Sequence, residues 1–269
     1  MLFEKPDTYF ISGGGDKSRF KISFPEASEN DLPQDREYCT VHMDGAERRI
    51  RFHDYHEIYD IPGLYEHIFY EKLECQSPAL MARLIEHEVK RGGEELESLN
   101  VLDVGAGNGI MGEMLSDVGV NHMVGVDILP EAARAAERDR PGLYEEYYPA
   151  DLLNPPKEVE TGLSERNFNC LTMIAALGFG DIPPEVFASA FNYVEDGGYI
   201  AFNLLDEFLE EKDPSGFAEM IEEITDSGTL EESMRVHYVH RLSISGDPIY
   251  YQGIIGRKGS DISGGFVRG

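Results

Sequence analysis

Short apolar segments alternate with amphipathic segments through the middle of the chain. Residues 100–104, 122–126, 146–149, 168–174 and 198–203 each have the length and composition of a β-strand, and helical patterns separate most of them. Strands that alternate with helices of this length predict an α/β fold. We expect a doubly wound, mostly parallel sheet with helices on both faces.

Several helices are marked by their ends as well as by their apolar stripes. Ser77 is expected to cap a helix whose first residue is Pro78, and Gly92 is expected to end it. Further helices are predicted at 130–140 and 184–194. The first helix has an apolar face formed by Leu80, Met81, Leu84, Ile85 and Val89, and the helix after residue 109 has one formed by Ile110, Met111, Met114, Leu115 and Val118.

Two hairpins are predicted outside this alternating region. Asp44-Gly45 is a favoured two-residue turn between two short strands, and a Gly-Asp-Pro turn joins residues 235–245 to 249–257. The second hairpin follows an acidic helical segment and brings the sheet to seven strands, one of them reversed. The predicted units are an N-terminal β appendage (1–51), one domain (52–258) and a flexible glycine-rich tail (259–269).

The charge of the chain limits its partners. There are 51 acidic and 23 basic residues, which gives a formal net charge of −28. A surface this negative repels phosphate groups, and no segment carries a basic stripe to offset it. We therefore expect no nucleic-acid partner and no membrane partner. The acidic excess also suggests the hypothesis of adaptation to high salt.

The cysteines and the N-terminus indicate where the protein works. Cys39, Cys75 and Cys170 are widely spaced and odd in number, which is typical of a reducing compartment and not of a disulfide framework. The first residues lack the order of a signal peptide, and no apolar run is long enough to span a bilayer. The sequence therefore predicts a cytoplasmic protein.

The glycine-rich segment Val101-Leu-Asp-Val-Gly-Ala-Gly-Asn-Gly109 follows the first strand of the alternating region. Glycines let the backbone turn sharply and approach a ligand closely. This segment resembles the first motif of class I S-adenosylmethionine-dependent methyltransferases. The resemblance implies S-adenosylmethionine as cofactor, with Asp103 holding its amino group through ordered water or directly. It also implies that the loop packs under the methionine and ribose, so the expected contacts are Gly105, Ala106, Gly107 and Asn108.

Two further segments resemble the cofactor motifs of the same family. Asp127 ends the second strand, and the resemblance implies that it accepts hydrogen bonds from the ribose hydroxyls while Ile128 stacks on the adenine. Asp151 would accept from the adenine amino group, and the backbone of Leu152 would donate to the ring. Ala175, after the fourth strand, completes the expected cofactor site.

Two other motifs overlap this region. Gly107-Asn-Gly-Ile-Met-Gly112 formally matches a dinucleotide fingerprint, but Asp103 stands where a pyrophosphate would need positive potential. Residues 154–156 resemble the start of an Asn-Pro-Pro-Tyr motif of base methyltransferases, but they precede the fourth strand. Residues 172–178 offer no acid, base or amide, so we expect transfer to depend on a positioned nucleophile.

A dense aromatic segment precedes the first core helix. The resemblance implies a lid there, with Tyr55 and Tyr65 binding substrate and His56, Tyr59 or His67 accepting its proton. Packing against the sheet edge is the alternative interpretation. No metal is expected. His53, His56 and Glu57 match ligand spacings poorly, and His237 and His240 point to opposite faces of a strand.

Taken together, the motifs predict methyl transfer to an O, N or C nucleophile of a small-molecule metabolite. A protein methyltransferase would share every cofactor residue and remains an alternative. A nicotinamide-dependent oxidoreductase and a non-catalytic module that binds S-adenosylmethionine are the others. The oligomeric state is left open.

Overall fold

The computed structural model describes residues 20–25, 32–178, 182–209 and 214–263. A seven-stranded sheet forms its centre. The strands of this sheet are β4 (Asn100–Val104), β5 (His122–Asp127), β6 (Glu146–Pro149), β7 (Phe168–Met173), β8 (Val194–Leu205), β9 (Leu230–Leu242) and β10 (Pro248–Lys258). Their order across the sheet is β6-β5-β4-β7-β8-β10-β9.

Strand direction follows the predicted pattern. The pairs β4–β5, β4–β7, β5–β6 and β7–β8 are parallel, whereas β10 is antiparallel to both β8 and β9. Parallel strands need crossover connections, while the last two strands are joined by a tight turn. The predicted α/β fold with a C-terminal antiparallel hairpin is confirmed.

Helices cover both faces of the sheet. Their bounds are α1 (Tyr55–Asp60), α2 (Leu64–Glu66), α3 (Ser77–Arg91), α4 (Ile110–Val118), α5 (Pro130–Asp139), α6 (Lys157–Ser164), α7 (Pro184–Asn192) and α8 (Phe217–Asp226). Successive residues of a central strand point to opposite faces of the sheet and pack into two different hydrophobic cores. Val101 packs with α3 and α4, while Leu102 packs with α6, α7 and α8. Burial on both sides explains why the central strands are continuous apolar runs.

A second, three-stranded sheet lies N-terminal to this domain. It consists of β1 (Phe20–Ser23), β2 (Tyr38–Met43) and β3 (Ala46–Arg51), all antiparallel. Asp44 and Gly45 have φ of 53° and 78°, as the predicted two-residue turn requires. Phe20, Val41 and Ile50 share a core with residues of α1 and α2, so residues on both sides of position 51 pack together.

Several local features differ from the expectations. Gln76, not Ser77, is the N-cap of α3, because the Ser77 hydroxyl is used in a buried polar network. Helix α6 and a π-helical turn at His67–Lys72 were not anticipated. The start of the predicted flexible tail is packed, with Ile262 buried and its backbone paired with Asn192 in both directions. Residues 1–19, 26–31, 179–181, 210–213 and 264–269 lie outside the described residues.

Candidate active site

The glycine loop lies at the carboxyl end of β4, between the sheet and the start of α4. Gly105 and Gly107 have φ of 70° and 55°, in the left-handed region that favours glycine. The backbone N–H groups of Gly105 and Ala106 both donate to the carbonyl oxygen of Val126, at 2.9 and 3.1 Å. A Cβ on Gly105 would lie 2.6 Å from that of Ala176. The loop is therefore pinned to β5 on one side and to the end of β7 on the other.

A cavity of about 260 Å³ opens above this loop. Its walls include the segments that follow the four parallel strands β4, β5, β6 and β7, which is where open α/β sheets bind ligands. Helix α1 and the residues after it form the roof. The predicted residues that line the cavity are Tyr55, His56, Tyr59, Tyr65, Gly105, Ala106, Gly107, Asn108, Asp127, Ile128, Asp151, Leu152 and Ala175.

Asp127 connects the loop to the cavity wall. One carboxylate oxygen accepts from the Gly107 N–H at 3.0 Å, and the other accepts from the Leu129 N–H at 2.9 Å. Burial raises the pKa of this carboxyl, while the backbone donors oppose the shift. Each carboxylate oxygen keeps a second lone pair, so Asp127 can still accept from a ligand hydroxyl.

The wall beyond Asp127 combines exposed apolar surface with a further carboxylate. Ile128 is 62% exposed, an unusual state for a large aliphatic side chain, and it flanks the cavity. Asp151 accepts from the Leu153 N–H at 2.9 Å and from the Asn154 amide at 3.0 Å. Leu152 is buried beside it. Together they form a slot that suits a flat ring with an exocyclic amine.

Asp103 is placed differently from the expectation. It is 1% exposed and does not line the cavity. Its two carboxylate oxygens accept from the hydroxyls of Tyr144 and Thr172, both at 2.7 Å. Burial raises its pKa to about 6. Because Asp103 is buried and does not line the cavity, this geometry does not support direct contact with a ligand amino group, and contact through ordered water stays a prediction.

Asn108 lines the cavity, but its side chain is committed to a buried ionic network. Its amide donates to Glu66 at 2.7 Å, and Arg140 donates to the same Glu66 oxygen at 3.1 Å and to the Asn108 carbonyl at 3.0 Å. Arg140 also pairs with Glu113 at 2.8 Å. This network ties α2 to the glycine loop, so Asn108 positions the loop and the roof together.

Ala175 has a φ of 55°, which is uncommon for a residue with a Cβ. Its backbone N–H donates to the side-chain oxygen of Asn203 at 2.6 Å. Such strain persists where surrounding contacts enforce it. Sequence analysis missed Asn203, because this amide comes from β8 and not from the loop it holds.

Aromatic side chains form the roof of the cavity. The Tyr59 ring lies against those of Tyr55 and Tyr65, with centroids 6.0 and 5.3 Å away. Burial raises the pKa of Tyr59 well above 10, so its hydroxyl stays protonated and is a poor base. His56 is exposed at the mouth. His67 faces away from the cavity, paired with Glu71 at 2.8 Å and packed against Phe20.

Comparison with protein families identifies the class of protein. A family model described as a methyltransferase domain matches residues 76–243, which is more than half of the 269-residue chain. The chain belongs to this methyltransferase family. A search of curated proteins finds no match for this methyltransferase.

One solved structure with a TM-score above 0.5 shows the same fold, and others are similar to it in part. A methyltransferase from Clostridium acetobutylicum named as S-adenosylmethionine-dependent has a TM-score of 0.51 at 12% identity, over 73% of this chain and 97% of the other. A Pyrococcus horikoshii protein assigned as an RNA methyltransferase has a TM-score of 0.49 at 14% sequence identity, over 68% of this chain and 83% of the other. Magnesium protoporphyrin IX methyltransferase from Synechocystis, with bound S-adenosylmethionine, has a TM-score of 0.47 at 12% sequence identity, over 67% of this chain and 79% of the other.

Family and fold together confirm the prediction of a class I S-adenosylmethionine-dependent methyltransferase, with S-adenosylmethionine as cofactor. The residues present fit that group. Asp127 offers lone pairs for vicinal hydroxyls, Ile128 and Leu152 offer apolar surface for a base, and the glycine loop leaves room for close approach. A pyrophosphate would need positive potential, but no Lys or Arg side chain of the described residues lines the cavity.

The described residues were compared with two further kinds of feature, a membrane-spanning helix and a cluster of metal-ligating side chains. No helix among them is long and apolar enough to cross a membrane. Across the same residues, no group of three or more His, Cys, Asp and Glu side chains could hold a metal ion. His53 lies before α1 and Glu57 pairs with Arg48 at 2.6 Å, so the weak spacing noted in the sequence has no structural counterpart.

Proposed function

We propose that this methyltransferase transfers the methyl group of S-adenosylmethionine to an O, N or C nucleophile of a small-molecule metabolite. The observation that carries the proposal is the aromatic roof. Tyr55, Tyr59 and Tyr65 cover a cavity of about 260 Å³ above the glycine loop. A roofed cavity of mixed polarity is typical of a small-molecule site.

Different walls of the cavity bind different parts of the cofactor. Asp127 accepts from the ribose hydroxyls, Ile128 and Leu152 hold the adenine, and Asp151 accepts from its exocyclic amine. The loop from Gly105 to Gly107 lies under the methionine portion. When bound, the cofactor supplies an electrophilic methyl group on a cationic sulfur. The protein aligns the acceptor with that carbon and excludes water.

The acceptor enters beneath the roof. Tyr55 and Tyr65 bind its body through their rings, and Tyr59 stays a neutral hydrogen-bonding hydroxyl above Gly107. His56, exposed at the mouth, is the predicted group that remains placed to take a released proton. His67 is withdrawn from the catalytic set because its imidazole faces Glu71 and Phe20.

Charge supports a metabolite over a nucleic acid. The net charge of −28 opposes the approach of a phosphate backbone, and the two acids that line the cavity add to the negative potential there. We also propose that the protein works in the cytoplasm, on the ground that Cys39, Cys75 and Cys170 are all free thiols.

A transfer assay tests this function. The protein is incubated with methyl-labelled S-adenosylmethionine and with separate metabolite, protein and RNA fractions, and Asp127→Asn serves as the variant with weakened cofactor binding. At a cofactor concentration below saturation, we expect label in the low-mass fraction, formed together with S-adenosylhomocysteine and reduced in the variant. Label that appears only in the protein or RNA fraction would contradict the choice of substrate. Absence of label from all fractions would contradict the activity.

A further inference from the structure

A second, smaller cavity adjoins the first. Its volume is about 40 Å³, enough for about three water-sized groups. The two cavities share part of their walls, namely His53, Tyr55, Tyr65, Ala175 and Ala176. The second cavity extends from the end of β7 towards β9 and β10. Gln34, Cys75, His240 and Tyr251 line its far side.

A buried chain of hydrogen bonds runs from the shared wall to this far side. The backbone N–H of Ala175 can only donate, so it fixes the side-chain oxygen of Asn203 as acceptor at 2.6 Å. The Asn203 amide then donates to the hydroxyls of Tyr238 at 2.7 Å and Ser77 at 3.0 Å. Ser77 lies 2.7 Å from the Tyr238 hydroxyl and 2.6 Å from Nδ1 of His240.

One assignment of the protons gives every donor in this chain an acceptor. Tyr238 donates to Ser77, and Ser77 donates to Nδ1 of His240. The reverse assignment leaves the Tyr238 proton without an acceptor among the described residues. In the satisfied arrangement the His240 proton is on Nε2, for which the described structure offers no hydrogen-bond partner. Burial lowers the pKa of His240 well below 6.5, so the ring is neutral.

Gln34 supplies a hydrogen-bond acceptor at the same cavity, opposite in role to the Nε2–H donor of His240. Its amide nitrogen donates to the Tyr251 hydroxyl at 3.1 Å, while its oxygen is buried and has no partner among the described residues. His240 stacks on the same Tyr251 ring, with centroids 4.0 Å apart. One tyrosine therefore holds both a donor and an acceptor at this cavity.

The remaining walls carry no net charge. Arg241 lines the cavity but is 3% exposed and pairs with the fully buried Glu37. Cys75 is a neutral thiol, because burial raises its pKa. Phe52 and Phe69 add aromatic surface. A cation would lose its hydration here without gaining a counter-charge, and an anion would meet Arg241 only in competition with its buried partner Glu37.

We propose that the second cavity binds an uncharged hydroxyl or carboxamide group of the methyl acceptor, with Nε2–H of His240 donating to it and the Gln34 oxygen accepting from it. This inference rests on the proposed function, since it assigns part of the acceptor to a pocket beside the cofactor. Both groups carry a donor and an acceptor on neighbouring atoms, which matches the pair of protein atoms left unpartnered. The ring or chain that bears the group then lies under Tyr55 and Tyr65.

Probe binding tests this assignment. Phenol, benzamide, benzoate and toluene share one ring and differ only in the group offered to the cavity. Each is titrated by NMR into wild-type protein, His240→Phe and His237→Phe, with and without S-adenosylhomocysteine. His240→Phe keeps a ring beside Tyr251 and removes the donor. His237, on the same strand, is exposed and stacks on Tyr250, so His237→Phe is the matched control.

We expect phenol and benzamide to bind about tenfold more tightly than benzoate and toluene, and His240→Phe to remove that preference. The ¹⁵N resonance of His240 Nε2 should shift when phenol binds. Equal affinity for phenol in wild type and His240→Phe, or toluene binding as tightly as phenol, overturns the assignment. S-adenosylhomocysteine titrated alone tests the cofactor site separately, so failure of the proposed function is distinguished from failure of this inference.

Discussion

Replacing Gly105 with alanine tests how tightly the glycine loop is packed against the end of β7. Gly105 has a φ of 70°, and left-handed backbone costs a residue with a Cβ about 1–2 kcal/mol. The new Cβ would also lie 2.6 Å from the Cβ of Ala176, well inside the ~3.5–4.0 Å at which carbon atoms attract. The substitution therefore combines backbone strain with overpacking.

A matched glycine separates the two effects. Gly142 has nearly the same φ, 71°, and a Cβ there would meet nothing within 4 Å. Gly142→Ala should lower the free energy of unfolding by the strain alone, about 1–2 kcal/mol. Gly105→Ala should cost about 1–3 kcal/mol more, as overpacking does in a well-packed site. Adding Ala176→Gly to Gly105→Ala should recover the free energy lost to overpacking, because the clashing Cβ is gone, and leave the loss caused by backbone strain.

Urea unfolding of the wild type and the single and double variants measures these differences, and calorimetry with S-adenosylhomocysteine measures the site. We expect Gly105→Ala to weaken binding and Gly142→Ala to leave it unchanged. If both glycine variants are destabilised equally, and Gly105→Ala shows no coupling to Ala176→Gly beyond about 0.5 kcal/mol, the loop does not pack as described.

Three other predictions follow from charge. Burial raises the pKa of Asp103 from 3.8 to about 6, so between these two pH values the folded state binds a proton that the unfolded state does not. As the pH rises from 3.8 to 6, ionisation of Asp103 therefore lowers the free energy of unfolding by about 3 kcal/mol. Asp103→Asn should flatten that part of the urea-unfolding profile, and parallel profiles would contradict it. Arg140→Met should cost about 3–5 kcal/mol in urea unfolding, because it strands buried Glu66, whereas the exposed Arg134→Met should cost about 1 kcal/mol or less; equal losses would refute this. The thermal midpoint should rise in molar KCl if the acidic excess is an adaptation to salt, and an unchanged midpoint would reject that hypothesis.

The parts of the site that could be predicted are those specified locally. A strand followed by spaced glycines requires a tight turn, and the acid that ends the next parallel strand must meet that turn. The Gly107–Asp127 hydrogen bond is the result. The Asp44-Gly45 hairpin was predictable for the same reason, since its conformation depends on two neighbouring residues.

The parts that escaped prediction depend on polar contacts between distant segments. Asp103 was expected to reach the cofactor through ordered water or directly, but its carboxylate oxygens accept from Tyr144, in the connection before β6, and from Thr172, within β7. His240 was considered only as a metal ligand, and its link to Ser77 joins residues 163 positions apart. No periodicity or spacing in the chain encodes which buried hydroxyl will meet which imidazole.

Calorimetric titration is the most direct test that S-adenosylmethionine binds beside Asp127. S-adenosylmethionine, S-adenosylhomocysteine and NAD are each titrated into wild-type protein, Asp127→Asn and Asp117→Asn, the last an exposed control on α4. We predict micromolar binding of the first two ligands, weakened about tenfold or more by Asp127→Asn alone, and no binding of NAD. Binding of NAD without S-adenosylmethionine, or equal affinity in Asp127→Asn and wild type, would contradict the proposed site.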